Sequence, residues 1–359
     1  MIYDRIMIEG CVYRSDDFRN DIIPSFVNKS DFHLQLFQFL KEWFSEAPTV
    51  TVKTSGSTGT PKQLQVSRQK MINSATLTCN FLHLKYGDKA LLCLPLDYIA
   101  GKMMVVRAIV AELDLFAVQP DGNPLDSFNH FSFDFAAMIP LQVYNSLDNN
   151  PKQLENIKNV LIGGGAIDSQ LEERLQPFTN NFYASYGMTE TLSHIALRKL
   201  NGKDKSPYYK PFDSVKLTLD KDNSLIINAP LVADNILYTH DVAEIFTDGS
   251  FQIIGRKDNI INSGGIKIQP EVIEKMLTPL IDNPFAITSL PDEKLGEAVV
   301  LVTEKQIGKS LLKDLPKYCQ PRKIIVLDKI PMTETGKIKR KELQDLLRLN
   351  HFLRPSRTA

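Results

Sequence analysis

The run TSGSTGTPK, residues 54–62, gathers the groups that grip a phosphate. Thr54, Ser55, Ser57 and Thr58 offer hydroxyls, Gly56 and Gly59 let backbone N–H groups come close to a ligand, and Lys62 adds a point charge. It is not a Walker A loop, because only two residues separate its glycines and Pro61 precedes the lysine. That weakens a kinase or GTPase reading; the plain alternative is a polar turn after a strand. Three further stretches carry matching chemistry: GGGA at Gly163, Gly164, Gly165 and Ala166, SYGMTET with Thr189 and Glu190, and a Gly-Lys turn at Lys337 within PMTETGKIKR. A carboxylate such as Glu190 suits a hard cation that keeps most of its waters, although an isolated Thr-Glu pair is as readily a helix-start cap. Lys337 is a charge on a flexible stem, or one more solvated lysine beside Lys339, Arg340 and Lys341.

Elements that would position these groups are legible in the periodicity. Phe37, Leu40 and Phe44 recur at helical spacing before Pro48 and predict a surface helix after an irregular start. TVTVKTS alternates as a strand and runs into the Gly-rich stretch. To about residue 180 the pattern repeats: a helix capped by Ser67, the strand ALLCLPL, a helix from Lys102, the strand FAAMIP, a helix and the strand NVLIG. This predicts α/β architecture with a mostly parallel sheet. KLTLD-KDN-SLIINA and AEIF-TDG-SFQII then read as antiparallel hairpins of a small β subdomain. From GRKDNIINSGG onward a helix, two strands and a final basic helix predict a small α+β domain. The expected division is 1–257 and 258–359.

The 359 residues suit two or three domains of about 100–200 residues each. With 43% hydrophobic and 23% charged residues the chain reads as globular. Lys plus Arg equals Asp plus Glu at 42 each, so no net field would draw it to nucleic acid or an anionic membrane. Cys11, Cys79, Cys93 and Cys319 form no C-x-x-C pair, so neither a zinc site nor a disulfide framework is signalled. The N-terminus lacks the apolar core of a secretory signal, and the apolar stretch Ala90–Leu115 is interrupted by Asp97, Lys102 and Arg107. The expectation is a cytoplasmic enzyme without membrane insertion.

Taken in order, these stretches resemble the adenylate-forming superfamily, which includes acyl-CoA synthetases, luciferases and peptide-synthetase adenylation domains. The resemblance runs from about residue 50 to 343. It implies an ATP-dependent ligase that joins a carboxylic acid to AMP and then passes the acyl group to coenzyme A, or to a carrier-protein thiol. By resemblance, residues 54–62 cradle phosphates, and Thr189 and Glu190 bind the α-phosphate and Mg²⁺, within the motif that also holds Gly187 and Met188. Gly163 to Ala166 would lie along one face of adenine and Tyr186 along the other, near Ser185. Asp241 would take the ribose hydroxyls beside Arg256; the residue before it, usually Gly in the family, is His240. Lys337 would bridge carboxylate and α-phosphate during adenylation. The C-terminal domain would swing about a hinge at Asp258, so that Ser263, Gly264 and Gly265 line a pantetheine tunnel.

LPLDYIAGKMMVVR resembles the family's acid pocket, with Tyr98 where relatives usually show His, and Gly101 directly before Lys102. Lys102, Arg107 and His194 would present positive or hydrogen-bonding groups to a second carboxylate on the acid; the alternative puts Lys102 and Arg107 on an exposed helix face. The shortened N-terminus and the text GMTETLSHIALR resemble most the branch that activates o-succinylbenzoate, an aromatic dicarboxylate. A simpler aryl or short-chain acid, a carrier-protein loading domain and a non-catalytic nucleotide binder are the rival readings.

Overall fold

The computed structural model describes residues 3–53, 63–128, 130–333 and 338–352. The stretch 54–62 and Lys337 therefore lie outside the described residues. The largest sheet among them runs in the order Lys210–Pro211, His194–Lys199, Asn181–Gly187, Ile157–Ile162, Phe133–Met138, Lys89–Leu92, Asp114–Ala117, Arg5–Ile8, Cys11–Arg14. Its middle, from Asn181–Gly187 to Arg5–Ile8, is parallel; its edges are antiparallel. Helices cover both faces of the centre, which is why FDFAAM and IKNVLI read as almost continuous apolar runs and are buried along most of their length. The α/β reading and its parallel sheet hold.

One expectation is corrected. The start of the chain is not irregular: RIMI and CVYR are strands that extend the main sheet, each too short at four residues to show a period. Helix Asp31–Phe44 is a surface helix as expected, with Phe32, Leu36, Phe37, Phe39, Leu40, Trp43 and Phe44 buried on one face and Asp31, Leu34, Gln35, Gln38 and Lys41 exposed on the other. TVTVK is a strand as expected, but it pairs with Gln63–Ser67 in a separate two-stranded ribbon, with Lys53 opposite Gln63. The ends of that ribbon bracket residues 54–62.

Helix Arg68–Leu82 begins at Ser67, whose side chain accepts from the Lys70 N–H, and packs against helix Ile99–Ala111. A four-stranded antiparallel sheet follows, from Lys216–Leu219 through Ser224–Asn228 and Leu237–Ile245 to Phe251–Arg256. Past it, strands Ile261–Ser263, Ile266–Ile268, Phe285–Asp292, Gly296–Thr303 and Lys323–Val326 form a third sheet. Helix Pro270–Leu277 shares one apolar cluster with it, and helix Arg340–Phe352 contributes Leu343 and Leu347 to another. Neither cluster shares a residue with the two clusters of the preceding chain. Among the described residues no helix is long and apolar enough to cross a membrane.

Candidate active site

Strand Asn181–Gly187 delivers Ser185, Tyr186 and Gly187 to the same end of the parallel sheet that delivers Gly163 from strand Ile157–Ile162. The two strand ends are locked: Ser185 Oγ donates to the Ile162 carbonyl at 3.0 Å, and a Cβ on Gly163 would lie 2.6 Å from that hydroxyl. Gly164 turns the chain with φ +78, which an L side chain resists. Loops at the carboxyl ends of parallel strands are where open α/β sheets bind ligands.

Tyr186 reaches out of this layer to the antiparallel sheet, donating its O–H to Asp241 Oδ2 at 2.7 Å. Arg256, the cross-strand partner of Asp241, donates to Oδ1 at 3.0 Å and through its other arm to Asp258 at 3.1 Å. Burial and the neighbouring Asp241 raise the Tyr186 phenol far above its ordinary range, so it stays a proton donor. Each Asp241 oxygen keeps a lone pair beyond these bonds, so the carboxylate can still accept from a pair of ligand hydroxyls. His240 Nδ1 sits 2.6 Å from Asp258 Oδ1, which fixes the imidazole on Asp258.

The next turn is strained. Ser193 N–H donates to the Thr191 carbonyl at 2.7 Å across Leu192, whose φ of +65 makes this a γ-turn of the rare kind. Thr191, buried, holds the turn by accepting from the Met188 N–H at 3.0 Å and donating to the Ser193 carbonyl at 2.7 Å. Gly187 is fixed by space: a Cβ there would lie 2.6 Å from His194 Cα and 2.8 Å from Ser193 C, backbone that has no room to retreat. Gly187→Ala should therefore lower the thermal midpoint by about 5 °C or more and reduce nucleotide affinity. A scanning-calorimetry trace matching wild type would contradict this.

Thr189 opens the short 3-10 turn Thr189–Thr191, and Glu190 projects exposed from it. Among the described residues no cation pairs with Glu190 and no cluster of three or more metal-ligating side chains exists. One free carboxylate beside a phosphate site is the donor set Mg²⁺ accepts, since that ion keeps several waters and takes the rest from phosphate oxygens. Glu190→Ala should move the Mg²⁺ concentration giving half-maximal activity upward by about tenfold. An unchanged titration would remove Glu190 from the role.

Helix Ile99–Ala111 places Arg107 in the interior, only 2% exposed. Its Nη2 donates to Ser193 Oγ at 2.6 Å, its Nη1 meets only the Met104 sulfur at 3.7 Å, and its Nε has no partner. Among the described residues no carboxylate lies within ion-pair reach. Burial lowers the guanidinium to about 10, so it remains a cation at neutral pH. His194 lies beside it, with Nδ1 3.2 Å from Ser193 Oγ and Nε2 3.0 Å from Thr78 Oγ1. Thr78 donates to the Ser74 carbonyl, which leaves one consistent direction for the chain. Arg107 donates to Ser193, Ser193 to His194 Nδ1, and His194 Nε2–H to Thr78. Burial and the Arg107 charge hold His194 well below the usual imidazole range, so it is a neutral relay rather than the positive group it was free to be from sequence.

The reading of Lys102 as a cation open to substrate is corrected, and so is the exposed-face alternative. Its ammonium is buried, donates to the Thr51 carbonyl at 2.7 Å, lies 3.5 Å from Glu42 and covers the Phe39 ring. Residues 102 and 107 are about 140° apart around a helix of 3.6 residues per turn, so both cannot address one ligand. Gly101 is there for closeness: a Cβ would stand 2.7 Å from the Leu94 carbonyl oxygen. Tyr98, half-buried, pairs with Lys53 in an isolated parallel bridge, and Lys53 reaches Asp97 at 2.6 Å. The segment before residue 54 thus emerges beside the one that leads into Arg107.

Ser263, Gly264 and Gly265 form the tight turn between strands Ile261–Ser263 and Ile266–Ile268, with φ of +58 and +83 at the glycines. Gly264 N–H is tied to the Leu295 carbonyl at 2.9 Å, and both glycines are exposed. Lys337 and residues 54–62 fall outside the described residues; on either side of the former, Met332 and Ile338 form an isolated antiparallel bridge. Ser193, Thr78 and the Leu192 turn were missed by sequence reasoning. A Leu in γ-turn geometry and a Ser that links two buried side chains leave no compositional trace.

The fold, with Gly163, Ser185 and Tyr186 gathered at the carboxyl ends of a parallel sheet, defines an enzyme of the α/β class. Residues 36–224 match the AMP-binding enzyme family. The chain belongs to that family and is an AMP-forming ligase. It is similar to the crystal structure of an acyl-CoA synthetase (AMP-forming)/AMP-acid ligase II-like protein from Dyadobacter fermentans, at 34% identity and TM-score 0.62, over 89% of this chain and 95% of that one. The 2-succinylbenzoate–CoA ligase of Haemophilus influenzae is 27% identical, over 95% of this chain and 77% of its own length. The fold is shared with o-succinylbenzoate CoA synthetase from Bacillus subtilis in complex with its acyl-adenylate intermediate, at 24% identity and TM-score 0.71, over 82% of this chain and 68% of that one.

Proposed function

We propose that the chain is an acid:CoA ligase for 2-succinylbenzoate, acting in the cytoplasm in menaquinone biosynthesis. A carboxylate oxygen of the acid attacks the α-phosphorus of ATP and pyrophosphate leaves, giving an acyl-adenylate. The thiolate of coenzyme A then attacks the acyl carbon and AMP leaves with the electron pair of the broken C–O bond. The first step crowds two anions together, and the chain's answer is a set of cations and aligned dipoles. Thr189 and the 54–62 hydroxyls would hold the phosphates, Lys337 would bridge carboxylate and α-phosphate, and Asp241 with Tyr186 would fix the ribose. Glu190 would hold Mg²⁺, which when bound offsets phosphate charge. Ser263, Gly264 and Gly265 would admit the thin pantetheine arm once the C-terminal domain has turned about Asp258.

The observation that carries the choice of acid is Arg107, a buried cation that has no carboxylate partner among the described residues, on the segment that resembles the acid pocket. Burying an unpaired charge costs several kcal/mol in real proteins, roughly 3–5 when a buried partner is lost. A substrate carboxylate would supply the missing partner; a long apolar acid would not. The two-carboxylate acid in the name of the Haemophilus influenzae relative supports the same choice. The test is a panel of carboxylic acids supplied to the purified protein with ATP, Mg²⁺ and CoA. Pyrophosphate release should be fastest with 2-succinylbenzoate; a preference for benzoate or a fatty acid would overturn the substrate.

A further inference from the structure

The segment around Asp258 is tied down by side chains from both sides. On the near side stand Gly255 and Arg256 at the end of strand Phe251–Arg256; on the far side stand Asn259, then Gln269 and Glu271 at the start of helix Pro270–Leu277. Gln269 Nε2 donates to the Arg256 carbonyl at 2.9 Å and also to Glu271 Oε2. Asn259 Nδ2 donates to the other Glu271 oxygen. Arg340 lies 3.7 Å from Glu271 and closes the group, with Nη2 on Glu274 at 2.6 Å and Nη1 on the Ile287 carbonyl at 2.9 Å.

Gly255 explains itself only through this group. Its φ is not in the left-handed region, so backbone conformation does not demand glycine. Space does: a Cβ would stand 2.6 Å from Gln269 Cδ and 2.6 Å from Glu271 Oε2. The strand therefore leaves a notch at 255 into which the two side chains of the following domain fit. The Gln269 bond to Arg256 spans Asp258, and Arg340 stands three residues beyond Lys337 at the base of helix Arg340–Phe352.

We propose that Gln269 and Glu271, seated in the notch at Gly255, are positioning residues that latch the C-terminal domain across the hinge, and that the latch must open for the domain to pass between its two working arrangements. This rests on the two-step ligase reading. Two variants break the latch by different routes: Gln269→Met keeps the shape and removes the donor, and Gly255→Ala fills the notch. Two readouts separate the claims. Trypsin cleavage after Lys257, beside the hinge, should quicken about fivefold to tenfold in both variants, the scale of one lost buried hydrogen bond, whether or not the enzyme turns over. The ratio of thioester formation from preformed acyl-adenylate to adenylate formation should shift by a similar factor, in the same sense in both. Gly255→Ala added to Gln269→Ala should do little more than either alone, because the clash then has lost one of its partners.

Cleavage at the wild-type rate in both variants would overturn the latch. Faster cleavage with both half-reactions slowed in parallel would leave a structural tie and overturn the positioning role. If one variant fails to fold, the other decides both points. A wild-type protein that releases no pyrophosphate with any acid would instead sink the ligase reading, and the tryptic readout would still judge the latch.

Discussion

Lys337→Ala should slow acyl-adenylate formation by about a hundredfold or more, the scale of losing one preorganised charge stabiliser, while thioester formation from preformed adenylate continues near the wild-type rate. The reasoning is electrostatic. Two anions meet only in the first step, so a mobile ammonium is needed there and has no comparable task when a neutral acyl carbon meets a thiolate. Two of the neighbouring basic residues already have partners: Arg340 is half-buried on Glu274 and the Ile287 carbonyl, and Lys339 pairs with Glu342 at 3.2 Å. The measurement is pyrophosphate exchange for the first step and single-turnover thioester formation from synthetic adenylate for the second. Equal damage to both would return Lys337 to a solvated lysine.

Arg107→Met should have opposite effects on folding and on function. Removing a buried cation that has only one good acceptor should leave stability unchanged or raise it, because the desolvation cost disappears and methionine fills much of the same volume. The same change should raise KM for 2-succinylbenzoate by about a hundredfold, the scale of deleting one partner from a buried charge pair, and barely move KM for benzoate. The hydroxyl of Ser193 can still donate to His194, so the relay to Thr78 survives. A fall in thermal midpoint together with parallel KM changes for both acids would make Arg107 a structural residue.

The nucleotide side was legible because its chemistry is written in contiguous words. Tyr186, Asp241 and Arg256 come from separate stretches, and the structure brings Tyr186 and Arg256 within hydrogen-bond distance of Asp241. The parallel centre of the sheet was legible because strands buried on both faces cannot avoid being apolar. Strands Arg5–Ile8 and Cys11–Arg14 at one end of the sheet were not, since four residues are too few to show a period. The acid side was half legible. Basic residues inside an apolar helix signal something, but the sequence does not say which of them already has a partner. Lys102 finds Glu42 and Thr51, brought together by the packing of helix Asp31–Phe44 against strand Thr49–Lys53, whereas among the described residues Arg107 finds the Ser193 hydroxyl, the Met104 sulfur and the Phe135 ring but no carboxylate. Helical geometry alone could have separated the two, because positions five apart point in different directions.

The account turns on a mixed anhydride between the acid and AMP, and isotope transfer tests it directly. With 2-succinylbenzoate carrying ¹⁸O in both carboxylates, together with ATP, Mg²⁺ and CoA, every AMP released should carry one ¹⁸O on its phosphate, delivered by the carboxylate that attacked the α-phosphorus. AMP free of label, or label found in inorganic phosphate beside ADP, would mean that the acid is not activated through an adenylate and would contradict the assignment.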